Sequence, residues 1–314
     1  MFISPFELKR AGIMGMNQRN LDFIGRYNDR TRYPLVDNKL KTKILSEQHG
    51  VNVPKLIAVV EKQHEIANVV ESLTKLSRFA IKPSKGSGGK GIWVISGKTE
   101  NGFVKTSGQE VSLSDLERHL SNILAGLYSL SGVPDVAVIE SLIEFDDLFD
   151  GLSYEGVPDI RLIVFQGFPV MAMLRCATKE SDGKATLHQG AIGIGLDIAT
   201  GKSLRAMQHG QPIKAHPDTG ANLLGIDIPD WRNFLLLAAN CHEMTGLGYI
   251  GVDLVLDKNQ GPLLLELNAR PGLAIQIANQ AGLIPRLRYI ESLDEQHRPP
   301  SERVDMSIEK FGAV

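Results

Sequence analysis

Two acidic residues lie on neighbouring predicted strands in the segment "GYIGVDLVLDKNQGPLLLELNARPG", residues 248–272. The alternating pattern predicts two strands around a four-residue turn. If Asp257 faces Pro262 across that turn, Asp253 lies directly opposite Glu266. Like charges opposite each other destabilise a sheet, and a bound Mg²⁺ would remove that cost. A hairpin whose polar face is simply solvated is the alternative. The predicted metal ligands are Asp253, Glu266 and Asn268.

A glycine-rich loop lies upstream, in "FAIKPSKGSGGKGIWVI", residues 79–95. Gly86, Gly88 and Gly91 have the G-x-G-x-x-G spacing, but a β-branched and aromatic run follows where a dinucleotide-binding fold needs a helix. The P-loop pattern is also absent from the sequence. The loop is therefore predicted to join two strands as a lid whose backbone N–H groups close over phosphates. An ordinary glycine-rich hairpin turn stays open as an alternative.

Composition restricts the class of protein. The 314 residues are 43% hydrophobic and 22% charged, which is typical of a globular chain with one large domain or two subdomains. A formal net charge of -2 predicts no general attraction to nucleic acid. The two cysteines are too few for a disulfide framework, which predicts reduced core thiols and a cytoplasmic location. No apolar run is long enough for a membrane span.

The predicted elements alternate between helices and strands in the first half of the chain. A helix is expected over 39–49, another over 61–76, and a third that begins at a capping box formed by Ser112 and Asp115. Strands dominate from about residue 135, and a helix capped by Asp230 follows them. The fold class is therefore α+β. The expected divisions are an N-terminal arm (1–36), a small lobe with the glycine-rich lid (37–138), a C-terminal lobe with the metal site (139–290) and a polar tail (291–314).

The order of these motifs resembles the ATP-grasp superfamily, and specifically its α-L-glutamate ligase-like branch, related to the enzyme that adds glutamates to a ribosomal protein. The motifs are "DNKLKTK", "AIKPSKGSGGKGIWVI", "VIESLI", "DIRLIV", "TLHQGA", "GVDLVL" and "LLLELNARPG", between about Asp37 and Leu287. The resemblance implies two α+β lobes that grip ATP. It also implies that Glu266 bridges two Mg²⁺ ions, with Mn²⁺ as an alternative metal.

Other positions match nucleotide contacts of the superfamily. Lys39 and Lys82 match two lysines that reach the phosphates. The residues that match the lid are Ser84, Gly86, Ser87, Gly88 and Gly89. The residues that match the hinge against the adenine are Glu140, Ser141, Leu142 and Ile143. Asp159 matches a ribose-binding position, and Arg161 lies beside it. A purely structural role stays open for each of these residues.

Two further residues match substrate positions, and a third differs from the close relatives. Arg175 and His188 stand where this branch contacts the acyl substrate and the γ-phosphate, although both also fit structural roles. Arg270 departs from the close relatives, which have a small residue there, so the substrate geometry is expected to differ. Only 38 residues precede Lys39, whereas family members carry a full α/β domain of about 100 residues there. The resemblance thus implies an ATP-grasp fold that lacks this domain.

The resemblance implies an ATP-dependent carboxylate–amine ligase that forms an acyl phosphate and releases ADP and phosphate. It suggests glutamate as the carboxylate and an amine acceptor that is a free amine, a peptide or a protein. A partner protein or a second copy of the chain is expected to complete the acceptor site. Two alternatives remain: a small-molecule kinase on the same scaffold, and a non-catalytic nucleotide-binding subunit.

Overall fold

The computed structural model describes residues 4–86, 88–129, 132–294 and 297–312. Its described residues divide into two compact units. The first takes those within Met1–Val36, Leu45–Asn52 and Phe145–Val314, and the second those within Asp37–Ile44 and Val53–Glu144. Each unit contains one antiparallel sheet and its own helices, so the expected α+β class is confirmed.

The α-helices, numbered along the chain, are α1 (Pro5–Arg10), α2 (Met16–Gln18), α3 (Gly25–Tyr27), α4 (Pro34–Asp37), α5 (Lys39–Gln48), α6 (Ile66–Leu73), α7 (Leu113–Leu124), α8 (Trp231–Thr245), α9 (Ile275–Asn279), α10 (Ile284–Glu291) and α11 (Pro300–Phe311). A π-helical segment, Arg19–Ile24, joins α2 to α3.

The strands are β1 (Leu56–Val60), β2 (Phe79–Pro83), β3 (Trp93–Thr99), β4 (Gly102–Lys105), β5 (Glu110–Ser112), β6 (Ala137–Glu140), β7 (Asp159–Phe165), β8 (Phe168–Cys176), β9 (Ile192–Leu196), β10 (Ser203–Gln208), β11 (Gln211–Ile213), β12 (Tyr249–Asp257) and β13 (Gly261–Asn268).

The second unit is a six-stranded sheet, in the order β1-β6-β2-β3-β4-β5, with α6 and α7 packed into its core. Leu116, Leu120 and Ile123 recur at helical spacing on α7 and are fully buried. The expected capping box is present, since Ser112 and Asp115 bond each other's backbone N–H groups. This helix therefore begins where the sequence indicated.

The first unit is a seven-stranded sheet in the order β11-β10-β9-β8-β7-β12-β13. α8 packs against β7, β8, β12 and β13, α9 contacts β8, β9 and β10, and α11 contacts β8. Asp230 occupies the N-cap of α8, as expected, but its carboxylate makes no capping bond; it accepts instead from the Asn233 side chain at 2.8 Å. Three strands of this sheet, β7, β8 and β12, are buried along nearly their whole length, which places the candidate site inside a closely packed layer.

The β12–β13 hairpin corrects one detail of the predicted register. Asp257 pairs with Gly261, not with Pro262, and this pairing continues as far as Leu254 opposite Leu264. A β-bulge at Leu265 then shifts the register by one residue, so that Asp253 does lie opposite Glu266. The predicted opposition of the two carboxylates is therefore confirmed, although the assumed turn pairing was wrong.

Both terminal segments are more ordered than the sequence indicated. The expected arm forms α1 to α4, and Phe23 within it is fully buried against Phe165, with ring centroids 5.6 Å apart. The expected polar tail contains α11, on which Val304 and Ser307 are fully buried. Both segments belong to the first unit because their few apolar residues pack onto it.

Two short strand pairs, β4–β5 and β10–β11, were not predicted. Cys176 and Cys241 are free and buried, as expected of core thiols, and burial raises the pKa of each. Among the described residues, no helix is long and apolar enough to cross a bilayer.

We expect Phe103→Ala to lower the free energy of unfolding by about 3–5 kcal/mol, because the 1% exposed ring would leave a cavity beside Phe79. Phe6→Ala is the control, since that ring is 81% exposed and its loss should change stability by at most about 0.5 kcal/mol. Urea unfolding followed by circular dichroism measures both. Equal losses would contradict the assigned core.

Candidate functional site

Three neighbouring strands of the first unit place four charged side chains on one face of the sheet. Asp159 and Arg161 are two residues apart on β7 and so point to the same side. Arg175 on β8 pairs in register with Asp159, and Asp253 on β12 pairs with Arg161. The resulting buried charge cluster consists of two carboxylates and two guanidinium groups.

The hydrogen bonds within this cluster are short and largely bidentate. Arg175 donates from Nε to Asp159 Oδ1 at 2.5 Å and from Nη2 to Oδ2 at 2.6 Å. Arg161 donates from Nε to Asp253 Oδ1 at 2.6 Å and from Nη2 to Oδ2. Arg175 Nη2 also lies 2.9 Å from Asp253 Oδ2, so one arginine bridges both aspartates. Such charge-assisted pairs are the stronger kind of hydrogen bond.

The two aspartates have net pKa shifts in opposite directions. Burial raises the pKa of Asp159 to about 6, because Arg175 offsets only part of the desolvation and the charge of Asp253 adds to it. Burial also disfavours the charge of Asp253, but Arg161 and Arg175 outweigh it and hold the pKa of that carboxyl below its ordinary value. Asp253 is therefore ionised at neutral pH despite being only 2% exposed.

Glu266 and Asn268 extend the same face onto β13. Asn268 donates from Nδ2 to Asp253 Oδ2 at 3.2 Å, and Glu266 is half-buried opposite Asp253. Since two arginines offset the charge of Asp253, repulsion from Glu266 does not by itself require a cation, which corrects the argument from the isolated hairpin. The cluster was not foreseen because it depends on how β7 and β8 pair with β12.

The donor set on this face nevertheless fits a hard divalent cation. Asp253 Oδ2 accepts from three donors, whereas Oδ1 accepts from Arg161 Nε and retains room for a ligand bond. Asp253, Glu266 and Asn268 together offer carboxylate and amide oxygens, the ligands that Mg²⁺ prefers. No group of three or more His, Cys, Asp or Glu suited to a metal occurs in the part of the chain that the structure describes. The role of the Asn268 amide oxygen as a third metal ligand stays a prediction.

The second unit contains its own buried ion cluster. Glu140, at the end of β6, is 4% exposed and pairs with both Lys82 and Lys43, the latter at 2.9 Å. Burial disfavours its charge, but Lys82 and Lys43 hold the pKa of the carboxyl below its ordinary value. Lys43 was not predicted; its position four residues after Lys39 on a helix, and hence on the same helix face, was the available signal.

The first half of the glycine loop is held by several contacts. Lys39 donates from Nζ to the Gly86 carbonyl at 2.8 Å, and its backbone N–H donates to the Ser84 carbonyl at 2.8 Å. Ser84 is fully buried and donates to Asn38 Oδ1 at 2.7 Å. The backbone N–H of Lys85 donates to Asp135 at 2.9 Å. Ser84 is thus a supporting residue of the loop in this structure.

The middle of the loop is open. Gly88 and Gly89 have φ angles of 60° and 73°, and nothing lies within 4 Å of where a Cβ would be. This left-handed conformation favours glycine. Ser87, also predicted to belong to the lid, lies outside the described residues.

The predicted hinge follows β6. Ser141 exchanges bonds with Lys55, donating its N–H to the Lys55 carbonyl at 2.9 Å and accepting from the Lys55 N–H at its hydroxyl at 3.0 Å. Leu142 is half-buried and Ile143 is buried. The adenine-binding role of these residues stays a prediction.

Two predicted substrate contacts are exposed on the first unit. His188 lies in a 3₁₀ turn, Leu187–Gln189, and Arg270 lies over the Tyr33 ring with its guanidinium carbon 5.3 Å from the centroid. Arg175, by contrast, is buried between Asp159 and Asp253, and Asp159 accepts two bonds from it. The structure thus brings Arg175, Asp159, Arg161, Asp253 and Asn268 together.

A family model described as sugar-transfer associated ATP-grasp matches residues 18–292. The comparison confirms the predicted superfamily; the glutamate ligase-like branch stays a prediction. No curated protein matches the chain.

Several solved structures are similar over most of this chain. The D-alanine–D-alanine ligase from Bacillus anthracis is 14% identical, with 91% of this chain and 70% of that chain covered and a TM-score of 0.45. The D-alanyl-alanine synthetase A from Vibrio cholerae O1 biovar eltor is 8% identical, with 89% and 66% covered and a TM-score of 0.47. The ATP-grasp ligase PsnB, complexed with a phosphomimetic variant of its minimal precursor, Mg and ADP, is 12% identical, with 90% and 62% covered and a TM-score of 0.42.

We expect Arg175→Met to lower the free energy of unfolding by about 3–5 kcal/mol, because it leaves two buried aspartates with one arginine. Arg232→Met is the control: its pair with Asp305 is exposed, and its loss should leave stability nearly unchanged. Urea unfolding at neutral pH measures both variants. A loss below about 1 kcal/mol in Arg175→Met would show that the cluster does not depend on this residue.

Proposed function

Because the chain belongs to the sugar-transfer associated ATP-grasp family, we propose that it is an ATP-dependent carboxylate–amine ligase. The observation that supports this proposal best is the face shared by Asp253, Glu266 and Asn268, where oxygen donors adjoin two arginines. A face of this composition suits Mg²⁺ and the negatively charged groups that accompany it.

In this proposal Asp253, Glu266 and Asn268 hold the metal, with Glu266 shared by two ions. Mg²⁺, or Mn²⁺ in its place, supplies charge that neutralises phosphate oxygens during transfer. Arg161 and Arg175 keep Asp253 ionised and fix its orientation, so that the carboxylate is preorganised before any ligand binds.

The phosphate contacts are assigned to the second unit. Lys82 and Lys39 carry the charges for the phosphates, and Glu140 fixes the Lys82 ammonium group. The backbone N–H groups of the loop near Gly88 and Gly89 would cover the phosphates, and Ser141 to Ile143 would flank the adenine. The assignment of Asp159 and Arg161 to the ribose side rests on the resemblance alone, because their side chains here pair with Arg175 and Asp253.

The reaction has two steps. A substrate carboxylate oxygen attacks the γ-phosphorus, and the bond from that phosphorus to the β,γ-bridging oxygen breaks. ADP leaves, and the substrate becomes an acyl phosphate. An amine nitrogen then attacks the acyl carbon, the carbon–oxygen bond to phosphate breaks, and the amine proton passes to solvent or phosphate. Neither step needs a covalent protein nucleophile.

The finer assignments concern the substrates. Glutamate is proposed as the carboxylate, and a free amino acid, a peptide or a protein as the amine acceptor. Arg270 and His188 are assigned to the anionic groups of these substrates, since both side chains are exposed on the first unit and can donate hydrogen bonds. A partner protein or a second copy of the chain would complete the acceptor site.

We expect the chain with MgATP, glutamate and hydroxylamine to release ADP and form a hydroxamate, because only an acyl phosphate is trapped in this way. Glu266→Gln should lower this rate by about 100-fold or more, since it removes a charged ligand without changing the side-chain shape. Glu309→Gln, an exposed position on α11, is the matched control.

Other amino acids and peptides are screened in the same assay. ADP release without hydroxamate, together with phosphorylation of a hydroxyl substrate, would instead identify a kinase. A Glu266→Gln enzyme with the activity of the Glu309→Gln control would contradict the metal assignment.

We expect a non-hydrolysable ATP analogue with Mg²⁺ to slow tryptic cleavage after Lys90, because Lys90 is exposed in the loop and binding would cover it. NAD at the same concentration is the control. Protection by NAD with none by the ATP analogue would reverse the nucleotide assignment.

A further inference from the structure

The second half of the glycine loop ends at a close contact with α7 and the segment after it. The Gly91 carbonyl lies 3.0 Å from His119 Nε2. Gly91 has a φ of +74°, and a Cβ added there would lie 2.5 Å from Cγ of Tyr128. Only glycine therefore fits this position, for reasons of both conformation and space.

The contact with the Gly91 carbonyl determines which nitrogen of the His119 ring carries a hydrogen. A carbonyl oxygen can only accept, so Nε2 must carry the hydrogen that it donates to Gly91. Burial, together with a smaller effect of the Lys105 charge, lowers the pKa of His119 to about 4 although the bond to Gly91 raises it, so the ring is neutral and has one N–H. Nδ1 is then an acceptor, and the Tyr128 hydroxyl lies 3.4 Å from it.

An aromatic stack holds the His119 ring in this orientation. Trp93, on β3 just beyond the loop, lies parallel to the imidazole at a centroid distance of 3.9 Å and an angle of 4°. Lys105 covers the Trp93 ring, with Nζ 3.7 Å from its centroid. His119 is itself 2% exposed. The ring is thus fixed by its neighbours on β3 and β4 and by Tyr128.

We propose that His119 is a positioning residue that anchors the C-terminal end of the glycine loop through the Gly91 carbonyl. Lys39 and Asp135 hold the other end of the loop at Gly86 and Lys85, so contacts fix both ends of the segment that carries Gly88 and Gly89. The inference rests on the proposed function, in which this loop covers phosphates. A loop fixed at both ends loses less conformational freedom when it closes on a ligand.

The test compares His119→Phe with His119→Gln. Phenylalanine keeps the stack on Trp93 but cannot donate, whereas the Nε2 amide of glutamine can replace the imidazole donor. Tryptic cleavage after Lys90 in the ligand-free protein should be on the order of 5- to 10-fold faster in His119→Phe, the factor expected from loss of one hydrogen bond. His119→Gln should restore the wild-type rate. Equal rates in all three proteins would overturn the proposal.

A second measurement uses the wild-type protein and so does not depend on the folding of a variant. The ¹⁵N shifts of His119, assigned by their loss in His119→Gln, should show the tautomer protonated at Nε2. A ring protonated at Nδ1 would overturn the anchor, because Nε2 could not then donate to Gly91.

Different results would contradict the His119 anchor and the proposed binding of a nucleotide by the loop. If His119→Phe alone is cleaved faster but the ATP analogue protects none of the proteins, the anchor stands and the nucleotide assignment falls. If the analogue protects the wild type while the Phe and Gln variants behave alike, the anchor falls and the nucleotide assignment stands. Weaker binding of the analogue to His119→Phe, restored in His119→Gln, would support both.

Discussion

Burial of Asp159 and Asp253 inside the seven-stranded sheet is the constraint on which the first unit depends. A carboxylate removed from water costs several kcal/mol unless it is paired and hydrogen-bonded. Arg175 and Arg161 satisfy that need because the strand order β8-β7-β12 places each arginine in register with an aspartate. Once Asp253 is held in this way, β13 brings Glu266 opposite it, and Asn268 reaches it from the next position on the same face.

In the second unit, lysines and not arginines neutralise the buried carboxylate. Glu140 at the end of β6 is neutralised by Lys82 from the adjacent strand and Lys43 from α5. A lysine carries a compact charge on a flexible stem and can change partners more readily than a forked guanidinium. The two arginines thus lie among buried strands of the first sheet, whereas Lys82 lies on the strand that leads into the glycine loop.

Much of this fold could be predicted from local patterns. The α7 capping box and the buried strands follow from short-range spacing. The opposed carboxylates were predicted from a turn pairing that is wrong by one residue, and the bulge at Leu265 brings them opposite each other. The arginine partners of the buried aspartates could not be predicted, because β7 and β12 are distant in sequence and no local pattern reveals their pairing. The terminal segments were misjudged because their buried apolar residues, such as Phe23 and Val304, are few among polar neighbours. The sequence alone does not distinguish His119 from an ordinary helix residue, because only the fold shows its contact with Gly91.

The bulge at Leu265 determines on which face of the hairpin Glu266 lies. Leu263, Leu264 and Leu265 are consecutive, and only their number, not their identity, decides which face Glu266 takes. Exchange of any of them for another apolar residue leaves that face unchanged. Loss of one residue would remove the extra position and either restore a regular ladder or turn Glu266 to the other side. In the descent of such proteins, this stretch should therefore tolerate changes of residue far better than changes of length.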